Sequence, residues 1–142
     1  MTTIAYRGGI VASDSLMSTS DIKVPGDFPK LFRMTDNSVV AATGTYSVAV
    51  NFIRWLAAGS PDKQPDLNGD AQVIQIFPKD IIRVYCGYSF FDRKMPFMAW
   101  GSGSPAALGA LHAGATAKEA VRCAIKVDSN SGGKIITMPV KP

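Results

Sequence analysis

A single histidine, His112, stands in this chain of 142 residues, and that scarcity removes several chemistries at once. Ser-His-Asp and Cys-His centres have only one imidazole to draw on, and a histidine-based zinc site is all but excluded. Cysteine is nearly as rare. Cys86 and Cys123 are too few for a disulfide scaffold and have no metal-ligand spacing. No apolar run approaches the roughly 18 residues that span a bilayer. The start, Thr2-Thr3-Ile4-Ala5-Tyr6-Arg7 after Met1, lacks a basic segment followed by an apolar stretch. These absences predict a soluble, cytoplasmic protein with no membrane partner.

Charge of one sign is not concentrated either. The net charge is +4, but the fifteen Lys and Arg are spread along the chain from Arg7 to Lys141. Without a basic stripe to track phosphates, no nucleic-acid partner is expected. What is present is an ordinary globular balance, 46% hydrophobic and 18% charged. A chain of this length buries roughly two thirds of its unfolded surface, so residues 1–142 are read as one domain. There is no internal repeat and no low-complexity segment.

Local patterns give an order of strands, helix, strands, helices, strand. Thr3–Tyr6 and Ile10–Ala12 flank Arg7-Gly8-Gly9 and read as a hairpin. The polar stretch 15–29, with Pro25-Gly26 and Pro29, reads as irregular. Lys30–Met34 and Val39–Ala42 form a second hairpin. From Ser47 to Gly59 the apolar residues Val48, Phe52, Trp55 and Leu56 recur at helical spacing. Strands are expected at Val73–Phe77, Ile81–Tyr85, Phe97–Trp100 and Ile135–Val140. A short helix follows Pro105, and Thr116-Ala117-Lys118-Glu119 is a capping box opening another through Val127. The pattern suits an α+β fold of two antiparallel sheets with helices outside. Trp55, Trp100, Phe52 and the six methionines are read as core, His112 as a partly exposed helical side chain, and the two thiols as inert core groups.

The amino terminus carries the chemical interest. A threonine hydroxyl is a weak nucleophile at neutral pH and needs a base beside it. Once Met1 is removed, as is common before a small residue, Thr2 supplies its own. Its α-amino group has a reference pKa of about 7.7 to 8.0, so a substantial minority is neutral at pH 7. A Met-Thr start is weak on its own, but other pieces follow in order. These are Val11-Ala12-Ser13-Asp14-Ser15, Pro29-Lys30-Leu31-Phe32, Ala42-Thr43-Gly44-Thr45, Trp100-Gly101-Ser102-Gly103-Ser104 and Asp128-Ser129-Asn130-Ser131-Gly132-Gly133.

Taken together the pieces resemble the proteasome β-subunit and bacterial ATP-dependent peptidase family of N-terminal nucleophile (Ntn) hydrolases. The short form found in prophage and bacterial genomes is the most similar. The resemblance implies a four-layer αββα sandwich, here with a reduced helical layer because one long helix stands where the family has two. It implies Thr2 as nucleophile, Lys30 and Asp14 as its electrostatic partners, and the Gly44 N–H as oxyanion donor. Ser102, Asp128 and Ser131 are implied as groups that position the terminal amine. Amide hydrolysis through an ester on Thr2 requires no metal and no organic cofactor. A peptide or unfolded-protein substrate, a homo-oligomer and an unfoldase ATPase are the partners implied, with ring size left open. Two other readings share the fold: a catalytically silent assembly protein and a small-molecule amidase.

Overall fold

The computed structural model describes residues 2–19 and 22–141. From the amino end come β1 (Ile4–Arg7), β2 (Ile10–Ser13), β3 (Met17–Thr19), β4 (Ile22–Val24), β5 (Leu31–Arg33), β6 (Val39–Gly44) and α1 (Tyr46–Ala57). There follow β7 (Ala71–Phe77), β8 (Ile81–Cys86), β9 (Ser89–Lys94), β10 (Phe97–Trp100), α2 (Ser104–His112), α3 (Ala117–Val127) and β11 (Ile136–Pro139). The strands form three sheets, ordered β10-β1-β2-β11, β5-β6-β7-β8-β9 and β3-β4. Every pairing is antiparallel. The class is α+β.

Strand alternation explains how these sheets pack, because successive side chains leave opposite faces. In β1 and β2, Ile4, Tyr6 and Val11 turn toward Leu31, Val39, Ala41, Ile74 and Ile82 of the five-stranded sheet, building one apolar cluster between the two sheets. Ala5, Ala12 and Ala99 face the other way and are register partners across three strands. A row of alanines lets helices come close, and Ala107, Leu111, Ala120, Val121 and Ala124 of α2 and α3 pack on it. On the outer face of the larger sheet, Val40, Ala42, Val73 and Tyr85 receive Phe52 and Ile53 of α1.

Local chemistry fixes the ends of these elements. Gly8 and Gly9 both have positive φ, 59° and 79°, as a tight turn between β1 and β2 requires. The Thr116 hydroxyl accepts from Glu119 N–H while the Glu119 carboxylate accepts from Thr116 N–H, closing the capping box of α3. None of the described helices is long and apolar enough to cross a membrane.

Four expectations need correction. Stretch 15–29 is not wholly irregular but contributes β3 and β4, a third sheet beside the two expected. Its polar, half-exposed residues gave no alternation to read. Strand β9 was also missed, since all six of its residues are exposed and no core face marks it. Cys86 is exposed rather than buried, because it ends β8 beyond the cover of α1, and Cys123 is half-buried. Of the residues read as core, Phe52 and Trp100 are buried, and Trp55, Met34, Met95, Met98 and Met138 are half-buried and packed against the core clusters, but Met17 lies outside those clusters and lines a cavity. Met1 lies outside the described residues.

Phe52 is fully buried and its ring lies 5.2 Å from Trp55 and 4.9 Å from Tyr85. Phe52→Ala is expected to lower stability by about 3–5 kcal/mol, read as a lower urea midpoint at unchanged slope.

Candidate active site

Two ends of two sheets meet at the amino terminus. Asp14 follows β2 and Lys30 precedes β5, so each is carried by a different sheet. They are 0% and 3% exposed, and Lys30 Nζ lies 2.8 Å from Asp14 Oδ1. Asp14 Oδ1 also accepts from Thr3 N–H at 3.1 Å, and Oδ2 accepts from Gly132 N–H at 3.1 Å. The carboxylate is thus held by three donors from three parts of the chain. Burial pushes Lys30 below the usual lysine value, while the charge and hydrogen bond of Asp14, and then the charge of Asp128, pull the other way.

A second set of groups approaches Thr2 from the β10–α2 turn. Thr2 N–H donates to Ser102 Oγ at 3.1 Å, and the Thr2 carbonyl accepts from Gly103 N–H at 3.2 Å. Ser102 Oγ donates to Asp128 Oδ2 at 2.7 Å, and Ser131 Oγ donates to the same oxygen at 2.6 Å. Each hydroxyl has one hydrogen. Ser102 therefore meets Thr2 N as an acceptor, and Thr3 Oγ1, 2.7 Å from Ser131 Oγ, is the donor of that pair. Burial alone would raise Asp128, but the hydrogen bonds from Ser131, Ser102 and Asn130 hold its carboxyl below the usual value.

Glycine is required where backbone passes close to these groups. Gly101, at φ 95°, has the Thr2 carbonyl where a Cβ would stand. Gly44, at φ 83°, has the Asp70 carbonyl and Ala71 Cα there, so only glycine fits the end of β6. A cavity of about 410 Å³ is lined by Thr2, Lys30 and Gly44 together with Leu16, Met17 and Tyr46. Asp14 stands behind Lys30, and Asp128 and Ser131 reach Thr2 through Ser102. All seven residues singled out in the sequence therefore belong to one connected neighbourhood.

Other participants had no role assigned in the sequence: Thr3, Gly132 and Gly103. For Thr3 a signal existed, because strand alternation sends its side chain to the face opposite Thr2. Which backbone N–H groups would turn toward Asp14 or Thr2 had no such signal. Among the described residues there is no group of three or more His, Cys, Asp or Glu that could hold a metal ion.

The sequence matches no family model and no curated protein. Solved structures do match. A structure of Thiobacillus denitrificans BPH in complex with epoxomicin is 21% identical, covers 99% of each chain and has a TM-score of 0.70. Another of Thiobacillus denitrificans BPH is 24% identical over 99% of this chain and 98% of that one, with a TM-score of 0.65. The fold is proteasome-like.

Two outcomes follow from the electrostatics. Asp14→Asn leaves a buried ammonium unpaired and is expected to cost about 3–5 kcal/mol, measured by chemical denaturation. A depressed folded-state carboxyl such as Asp128 contributes stability above its unfolded value of 3.8, lost as pH falls through the folded value. The stability gap between wild type and Asp128→Asn should therefore hold from neutral pH down to about pH 5 and close below pH 3.8.

Proposed function

We propose that the chain is an N-terminal threonine peptidase built as a single Ntn-hydrolase domain over residues 1–142. The observation that carries this reading is the pair of networks bracketing Thr2, one ending in the buried Lys30–Asp14 pair and the other in Ser102–Asp128. The three core clusters, ordered helices, sheet, sheet, helix, support a four-layer αββα sandwich with one helix on its reduced side. One structural neighbour is in complex with epoxomicin, a proteasome inhibitor, which supports a proteasome-type activity here.

Chemistry would begin when loss of Met1 converts the Thr2 amide nitrogen into an amine. That amine keeps Ser102 Oγ as the acceptor of one N–H, because the Ser102 hydrogen is committed to Asp128. Its lone pair is then left for the Thr2 hydroxyl, directly or through one water. Thr2 Oγ1 adds to the substrate carbonyl carbon as its proton passes to the amine. The Lys30 ammonium favours alkoxide character on Thr2, and Asp14 keeps that ammonium charged and fixed. Gly44 N–H is assigned to the oxyanion. Collapse breaks the C–N bond, the amine returns its proton to the leaving nitrogen, and water hydrolyses the Thr2 ester by the same steps.

Peptides or unfolded proteins are the substrates in this reading, and the protein acts as a homo-oligomer. The bacterial ATP-dependent peptidase branch and its unfoldase partner are supported by the sequence resemblance alone.

Intact-mass measurement should find Met1 absent. Thr2→Ala should lower cleavage of fluorogenic peptide amides by about a thousandfold or more while leaving the melting temperature within a few degrees. Cleavage by the variant at wild-type rate would contradict the reading.

A further inference from the structure

A second cavity of about 260 Å³ adjoins the first at Gly44, which lines both. Its walls include Asp70, Gln72, Gly101 and Ser102, so it lies on the side of Thr2 where Ser102 holds the nitrogen. The two cavities differ in chemistry. The larger is walled by Leu16, Met17 and Tyr46, and among the described residues its one charged side chain is Lys30, already paired with Asp14. Among the described residues the smaller is lined by no Lys, Arg or His, and its one ionisable side chain is the exposed Asp70.

The proton path decides which part of a substrate enters each. In the reading above, the proton on the Thr2 amine must reach the leaving nitrogen, so that nitrogen has to sit beside Thr2 N on the Ser102 side. From this, and resting on that reading, we infer that the smaller cavity receives the amine half of the substrate, and that Asp70 selects for a positively charged residue after the scissile bond. The acyl half then lies in the larger, predominantly apolar cavity. Asp70 is well placed to act as a fixed charge. Its backbone is tied down on both sides, N–H to the Leu67 carbonyl at 3.0 Å and carbonyl to Thr45 N–H at 2.9 Å.

Internally quenched peptides carrying leucine before the cut and lysine, alanine or aspartate after it provide the test, with cut sites located by mass spectrometry. Wild type should prefer lysine over alanine over aspartate in kcat/KM at low ionic strength, with neighbouring members about two- to fivefold apart. The spread should shrink in 0.5 M salt and collapse in Asp70→Asn. Cleavage with a flat or reversed order, or an order unchanged in Asp70→Asn, overturns this inference and leaves the peptidase reading standing. If wild type cuts none of the three, both fall.

Discussion

A buried lysine beside a buried aspartate is the constraint on which the site depends. Removing two charges from water is expensive, and the pair is tolerable because both carboxylate oxygens also accept hydrogen bonds from buried backbone N–H groups. Asp14 takes donors from Lys30, Thr3 and Gly132, and those donors belong to segments far apart in sequence. Satisfying one carboxylate therefore fixes the amino terminus, the entry to β5 and the loop before β11 relative to each other. The apolar cluster between the sheets supplies the mass of the contact, but the ion pair dictates which ends of the sheets coincide.

Thr2 inherits its position from that arrangement. Thr3, its neighbour, is pinned by backbone to Asp14 and by hydroxyl to Ser131, while the Thr2 peptide is gripped by Ser102 and Gly103. Alternation along an extended segment then leaves the Thr2 side chain facing the cavity that Lys30 and Gly44 also line. The absence of Cβ atoms at Gly44 and Gly101 is what allows this crowding, since each sits against a carbonyl group. Preorganisation here rests on backbone as much as on side chains, so conservative substitutions at these glycines disturb geometry without altering charge.

Much of the fold was legible in residue order. Apolar runs on either side of Gly8-Gly9 marked β1 and β2, and recurring apolar residues marked β7 and β8, because these strands lie in the interior; helical spacing marked α1 because one of its faces is buried. Where no face is buried the signal vanishes, as in β9, or is masked by polar residues, as in β3 and β4. The candidate site was legible only through the motif resemblance, which implied Thr2, Asp14, Lys30, Gly44, Ser102, Asp128 and Ser131 without coordinates. Their mutual distances were not legible. Asp14 and Lys30 are sixteen residues apart, a spacing with no geometric meaning until the two sheets are stacked. The direction of the hydroxyl chain from Thr3 to Asp128 was likewise invisible, because it follows from counting hydrogens once the oxygens are close.

The proposed chemistry needs the Thr2 amine and hydroxyl to act together, and a peptide epoxyketone tests both groups in one reagent. The hydroxyl adds to the ketone and the amine opens the epoxide, closing a ring that neither group can form alone. Intact-mass and fragment-ion spectra of the purified protein after incubation should show one adduct per chain, located at Thr2. An unmodified chain with a free Thr2 amine, or an adduct at any other residue, would contradict the assignment.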